Sequence, residues 1–316
     1  MHRAVIVFNP ASRNAPGRGR LEAAAGAMEG HGWQLGLLPT AAAGHGTELA
    51  REAAASGAEV VFACGGDGTI NEVVNGIAGS ESALGVLRGG MGDVFGREMA
   101  VPREPEAALR VLLDGERRRF DLGMVNERYF LMMAGIGFDA GVVRMVPRLP
   151  KKLLGSTSYA LWGAWVVARY RPRSVILRVD GEEIETRLYW MLLENTRSYG
   201  GIIRIAEGAL VDDGLLDAYV FEAGGIRSLA STAAHIVRHR LEGARGVTVR
   251  RVRELQVVSA GLDVQVDGEY VGVTPARFSV APAAVDILLP RGHGAQLFGS
   301  ESSGQADSHA TLTRPE

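Results

Sequence analysis

The residues best suited to chemistry lie in one stretch, Cys64-Gly65-Gly66-Asp67-Gly68-Thr69-Ile70-Asn71-Glu72-Val73-Val74-Asn75-Gly76. Glycines at 65, 66 and 68 strip a turn of side chains and let backbone N–H groups approach a ligand, and a helix N-terminus directly behind them favours negative charge. That combination suits phosphate. Asp67 is a carboxylate among those amides and would repel a phosphate unless a divalent cation lay between them, so it points to Mg²⁺ held together with a nucleotide. Neither the P-loop spacing G-x-x-x-x-G-K-[ST] nor the dinucleotide spacing G-x-G-x-x-G occurs in this stretch. Thr69 and Glu72 stand at the T-x-x-E spacing of a helix capping box.

The flanking elements must hold this turn in place. Residues 58–63 read as a short buried strand, and Ile70, Val73, Val74 and Ile77 recur on one helical face, so the glycines lie where a strand passes into a helix. Ahead of them, an apolar run over 4–8 stops at Asn9-Pro10, a Gly- and Arg-rich loop covers 11–20, and Leu21, Ala24, Ala25 and Met28 predict a helix. A second strand over 34–38 and a second helix over 47–56 follow. This alternation implies a parallel α/β sheet with its ligands at the carboxyl ends of the strands, where Asn9, Thr40 and Asp67 fall. The next strand, 84–87, enters a second glycine loop, Arg88-Gly89-Gly90-Met91-Gly92-Asp93-Val94-Phe95-Gly96-Arg97, and a helix over 105–113 comes after it.

Past Arg117-Arg118-Arg119 the texture changes. Residues 120–125 and 129–134 read as a hairpin about Asn126-Glu127, helices are expected over 140–146 and 156–170, and strands dominate thereafter. Residues 174–179 and 183–193 flank Asp180-Gly181, and 262–266 and 270–273 flank Asp267-Gly268, both hairpin signals. The expected organisation is an α/β domain over 1–120 completed by 283–295, a β-rich domain over 121–282, and a disordered tail over 296–316 within a polar, Gly/Ser-rich end that begins at 291.

With 316 residues, 47% of them hydrophobic, the chain can bury two sizeable cores. A formal net charge of −2 argues against a nucleic-acid partner held by bulk electrostatics. The single cysteine, Cys64, rules out an intrachain disulfide and points to a reducing cytoplasm, and no Cys/His cluster has zinc-ligand spacing. The N-terminus passes directly into a strand, and no uninterrupted apolar run is long enough to span a bilayer, so a cytoplasmic protein, at most peripheral to a membrane, is expected. Trp162 and Trp165, backed by Lys151, Lys152, Arg169 and Arg171, could face lipid; a helical stripe buried in a core is the other reading.

The string GGDGTINEVVNG at 65–76 resembles the signature of the diacylglycerol kinase-like lipid kinases, a family that includes sphingosine and ceramide kinases and many bacterial relatives. Its shorter core GGDGT is also similar to NAD kinases and, more distantly, to phosphofructokinases. The resemblance covers most of 3–290. Val7-Phe8-Asn9-Pro10-Ala11-Ser12 is similar to the family's opening N-P-x-S loop, with Arg13 where glycine is usual. Asp121-Leu122-Gly123, Ala134-Gly135-Ile136-Gly137-Phe138-Asp139, Lys151-Lys152-Leu153-Leu154-Gly155 and Tyr199-Gly200-Gly201 resemble later blocks in order.

The fold this resemblance implies is α/β plus β: an N-terminal Rossmann-like three-layer α/β nucleotide domain and a C-terminal β-sandwich-like domain. The implied activity is ATP- and Mg²⁺-dependent transfer of the γ-phosphate to a lipid hydroxyl at a membrane surface. Implied nucleotide contacts are Asn9, Thr40, Gly65, Gly66, Asp67, Gly68, Thr69, Asn71, Glu72, Gly90 and Met91, with Asp67 on the nucleotide's Mg²⁺. A structural Mg²⁺ is implied at the Asp213 carboxylate and the carbonyls of Leu210 and Leu215. Asp267-Gly268-Glu269 falls at the family's catalytic D-G-E, with Asp267 accepting the hydroxyl proton. Asp180-Gly181-Glu182 has the same letters and reads as a hairpin turn only.

The departures centre on the second glycine loop. Where the family shows P-x-G-T-x-N-D-F-A-R, this chain has Met91 in place of a hydroxyl and Val94 in place of a carboxylate, with Asp93 one position early. Ile202-Ile203 and Glu207 replace a usual G-M and proline near the implied acceptor pocket. Two alternatives therefore stay open, a NAD kinase-like small-molecule kinase and a lipid- or nucleotide-binding relative without turnover. The acceptor and the oligomeric state, a homodimer among the options, are not specified by the sequence.

Overall fold

Residues Val60–Gly65 are apolar and buried throughout, the pattern of an interior strand covered on both faces by helices. The computed structural model describes residues 1–145, 170–199, 203–224, 231, 232, 234, 235, 241 and 244–299. It places this strand, β3, inside a parallel run. The opening half is β1 (His2–Phe8), α1 (Arg18–Glu29), β2 (Trp33–Pro39), α2 (His45–Ala55), β3, α3 (Asp67–Ile77), β4 (Ala83–Arg88), α4 (Val94–Glu98) and α5 (Pro105–Leu113). Strands lie in the order β2-β1-β3-β4, all parallel, while α1 packs with α5 and α2 with α3. From β1 the chain goes to β2 on one side and returns to β3 on the other, so a crevice opens at the carboxyl ends of β1 and β3, where ligands bind in sheets of this kind.

The hairpin expected over 120–134 is divided between two sheets. β5 (Glu116–Val125) runs unbroken past residue 120 and pairs with a short β6 (Arg128–Phe130), whereas β7 (Met133–Gly137) leaves for the second sheet and leads into α6 (Phe138–Met145). The expected long strand over 183–193 divides likewise. β8 (Arg173–Val179) and β9 (Glu182–Leu188) form the Asp180-Gly181 hairpin, and β10 (Trp190–Glu194) crosses to the other layer. The helix expected over 156–170, with Trp162 and Trp165, falls outside the described residues apart from Tyr170.

A short pair, β11 (Ser198–Tyr199) with β12 (Ile203–Arg204), stands alone; β13 (Leu216–Phe221), β14 (Val247–Val252), β15 (Glu254–Val257), β16 (Asp263–Val266), β17 (Glu269–Val273) and β18 (Ala276–Leu289) complete the chain. The second sheet is antiparallel, in the order β14-β13-β10-β7-β16-β17. Between it and the β15-β8-β9 edge of the first sheet lies an apolar core that includes Leu177, Met191, Leu193, Val220, Val264 and Phe278, which makes this half a sandwich.

β18 joins the two halves. Its end pairs in parallel with β4 at Asp286 and Ile287, its start pairs antiparallel with β15, and it follows β5 along nearly its whole length. A register shift between Ala281 and Val285, with Ala283 at φ 49°, bends it. Asp121, buried, secures the bend by accepting from the amides of Ala283 (2.7 Å) and Gly214 (2.7 Å). At the start of the tail expected over 296–316, a 3₁₀ turn (Ala295–Leu297) buries Leu297, Phe298 is buried beside it, and Phe298 meets Phe120 edge-on at 5.3 Å.

Candidate active site

The two glycine loops are pressed together backbone to backbone. Gly89 N–H donates to the Gly65 carbonyl at 3.0 Å, and a Cβ on Gly90 would lie 2.5 Å from the Gly66 Cα, so the second loop has no room for a side chain at Gly90. Ser12 Oγ and Asn14 Nδ2 donate to the Gly89 and Gly90 carbonyls and strap the first loop of the chain onto the second. The Asn9 amide donates to the Cys64 carbonyl at 2.9 Å. Cys64 itself is buried, which pushes its thiol up to about 12, and it stays inert.

Asn9, Thr40, Gly66, Gly68, Thr69, Glu72 and Glu269 line one cleft of about 450 Å³, within the range of small-molecule sites. Two of the expected roles change on close inspection. Helix α3 begins at Asp67, with Gly66 as its cap and no side-chain cap bond, so Thr69 and Glu72 form no capping box. Glu72 reaches across instead and accepts from the amides of Gly44 (2.9 Å) and Gly46 (2.8 Å), satisfying the open N-terminus of α2. Asp93 does not stand in for the missing carboxylate: it lies in the left-handed region at φ 47° and accepts from the amides of Gly89 and Gly90 within its own loop. Met91 is 68% exposed, with its sulfur 3.8 Å from an Arg13 nitrogen.

Asp67 sits where the two loops meet. Its Oδ1 accepts one long bond, 3.5 Å, from the Phe95 amide. Burial raises its carboxyl above the ordinary range, amides of Val94 and Phe95 pull it down, and Asp267 and Asp93 push it up again. A divalent cation would offset that crowding of negative charge, so Asp67 suits a Mg²⁺ shared with a nucleotide.

The D-G-E turn enters from the other half. Asp267, at φ 47° in the turn between β16 and β17, is buried and accepts from four donors: the amides of Leu131 (2.8 Å), Met132 (2.9 Å) and Met133 (3.0 Å), and Asn71 Nδ2 (2.8 Å). Burial raises its carboxyl, and these four donors oppose the rise without cancelling it. Asn71, 1% exposed, is thus a tie between α3 and the D-G-E turn, and also donates to the Tyr129 carbonyl. Glu269 faces the cleft and takes Arg128 Nη2 at 2.5 Å.

Asp180 at the duplicate triplet is exposed, and its carboxylate only secures its own hairpin to the amides of Arg253 and Glu254.

At the residues implied for a structural Mg²⁺, the Asp213 carboxylate is ion-paired with Arg251 and accepts from the Leu215 amide. Leu210, Asp213 and Leu215 lie apart from the cleft lining.

Sequence reading missed Arg128 and Glu194, because neither sits in a patterned motif. Glu194 ends β10 with no exposure and with both carboxylate oxygens lacking a hydrogen-bond partner. Burial holds its carboxyl well above the ordinary value of 4.5, and Glu98, Asp139, Asp217 and Asp267 add to the rise. A raised folded value means that the native state keeps a proton the unfolded chain has released, so Glu194 removes stability as pH climbs above the ordinary carboxylate range. Glu194→Gln is therefore expected to raise Tm, with a gain that is larger at about pH 9 than at about pH 5 in thermal melts. A gain independent of pH would show that Glu194 is not protonated in the native state.

Comparison with known proteins bears on the family and the fold. The profile of the Diacylglycerol kinase catalytic domain matches residues 3–125, and that of the YegS C-terminal NAD kinase beta sandwich-like domain matches 132–289. The chain is similar to a diacylglycerol kinase of Bacillus subtilis (strain 168), 30% identical over 301 residues, which are 94% of this chain and 99% of the relative. A diacylglycerol kinase of Staphylococcus aureus (strain bovine RF122 / ET3-1) is 30% identical over 298 residues, 91% of this chain and 92% of that one. A crystal structure of a diacylglycerol kinase from Bacillus anthracis str. Sterne shares the fold at TM-score 0.71 and 21% identity, covering 91% of this chain and 96% of that one. With both halves matched and near-full-length relatives at this identity, the chain belongs to the diacylglycerol kinase family of lipid kinases.

Proposed function

We propose that the chain transfers the γ-phosphate of ATP, bound with Mg²⁺, to the hydroxyl of a neutral lipid of the diacylglycerol type. The observation that carries the reading is the bond from Asn71 on the glycine-turn helix to Asp267 of the D-G-E turn, which brings a carboxylate from the second half to the phosphate cradle of the first. Gly66, Gly68 and Thr69 at the start of α3 would hold phosphate oxygens, with Asn9 and Thr40 on the facing wall. Asp67 would hold Mg²⁺, which when bound neutralises charge developing on the transferred phosphoryl group. Asp267 would accept the acceptor's proton. Three backbone amides would orient it, burial lifts its basicity, and Asn71 is its one side-chain donor, whose place a lipid hydroxyl would take.

No described helix is long and apolar enough to cross a membrane. The reading includes peripheral contact with a membrane that supplies the acceptor, from the cytoplasmic side, and a homodimer is compatible with it. The names of the relatives favour diacylglycerol as that acceptor.

The test is incubation of the purified protein with labelled ATP and Mg²⁺ and, in parallel, diacylglycerol, a sphingoid base, phosphatidylglycerol, a polyprenol and NAD. Label is expected in diacylglycerol and to vanish with chelator. Label in NAD alone, or in no acceptor, would overturn the reading.

A further inference from the structure

A nucleotide triphosphate needs cations, yet none of the described residues that line the cleft is Lys or Arg, and two, Glu72 and Glu269, are acidic. Glu72 is committed to the N-terminus of α2. Glu269 is placed differently. Its Oε1 lies 2.6 Å from where a Cβ on Gly68 would stand, so its carboxylate lies against the first turn of α3. The protein's own carboxylate is thus close to a helix start, which favours an anionic ligand.

What holds it there is Arg128. Its Nη2 donates to Glu269 Oε2 at 2.5 Å and to Asn71 Oδ1 at 2.8 Å. Both side chains of the pair keep substantial exposure, 36% for Arg128 and 42% for Glu269. A pair so solvated contributes little, whereas a guanidinium fork on a phosphate forms two charge-assisted bonds, so a phosphate entering the cleft competes well for Arg128.

Resting on the nucleotide reading above, we infer that Arg128 is the phosphate-binding cation of this site and that nucleotide binding exchanges its partner, from the Glu269 carboxylate to a phosphate oxygen. Glu269 then leaves the start of α3, and the phosphate takes its place. The exchange also removes Arg128 from Asn71, the residue whose amide occupies a lone pair of Asp267.

Calorimetry with ATP·Mg²⁺ and with pyrophosphate, on the full chain and on Arg128→Ala, Arg128→Lys and Glu269→Gln, tests this by sign. Removing the arginine is expected to weaken ATP binding by about tenfold or more, because a charge-assisted contact is lost. Lysine keeps the charge without the fork and should recover part of that loss. Glu269→Gln should tighten binding several-fold, since a competing anion is neutralised. If Arg128 serves only to hold Glu269, its removal frees the cleft, and both substitutions shift affinity upward together. That result, or unchanged affinity in both Arg128 variants while the unaltered protein binds normally, overturns the exchange. If the unaltered protein binds neither ATP nor pyrophosphate, the nucleotide reading itself falls, and the exchange with it.

Discussion

Asp267→Asn is expected to cost activity and stability together, whereas Asp180→Asn costs neither. The two aspartates share a hairpin setting and nearly the same left-handed backbone, φ 46° at 180 and 47° at 267, which asparagine also adopts. They differ in what their oxygens meet. Asp180 is exposed, and an asparagine carbonyl can replace its accepting oxygen toward Glu254 and Arg253. At 267 both oxygens accept two bonds each, so one oxygen's pair of donors would face an –NH₂ donor instead. Leaving buried donors unmatched costs roughly 1–3 kcal/mol, and loss of a proton acceptor lowers turnover about 10²-fold or more. Thermal melts should separate the two variants at once. Single-turnover phosphotransfer, measured well below the lower melting temperature and beside nucleotide affinity, isolates the chemical step. Full turnover in a destabilised Asp267→Asn protein would make Asp267 a tie between the halves and nothing more.

Asp67→Asn should show the opposite pairing of effects. The carboxylate is largely buried near Asp267 and Asp93, and burial is the main reason that its pKa is raised. Removing the charge therefore relieves repulsion in the resting protein, and Tm should hold or rise. Activity should fall by about 10²-fold or more, because the remaining amide is a poor ligand for the cation that offsets phosphate charge. A Mg²⁺ titration of turnover is the decisive measurement. Saturation at the same concentration and to the same rate as the unaltered chain would remove Asp67 from cation binding. A gain in stability accompanied by loss of activity is the signature of a carboxylate retained for chemistry.

The outcome of these tests depends on contacts that local sequence does not encode. Glu72 has the spacing of a capping residue, and the spacing is real, yet its carboxylate satisfies the amides of another helix. The helix begins three residues earlier than the T-x-x-E pattern requires, and Glu72 meets the vacant amides at Gly44 and Gly46 instead. Asp93 matches the family in charge but not in direction, because a left-handed backbone turns its side chain onto the amides of its own loop. Asp213 has the charge of a cation ligand, and in the fold it is paired with Arg251 on β14, the strand that neighbours β13.

What the amino-acid order determined by itself is what periodicity and backbone restriction can express over a few residues. Apolar runs at 4–8 and 58–63 made buried parallel strands, glycines at 65, 66 and 68 made a turn open to anions, and the Asp-Gly pairs at 180 and 267 made hairpins. Tertiary structure decided which of two identical triplets meets the glycine turn. Asp267 bonds to Asn71 across 196 residues of chain, and β18, which follows it, is bent at Ala283 and carries the first sheet from β4 of the opening half to β15 of the second. It also decided that Arg128 would hold Glu269 over α3 and that Glu194 would be buried without a partner. Such choices follow from which donors, acceptors and charges are left unmet when distant elements close on one another, a quantity that exists only in the folded chain.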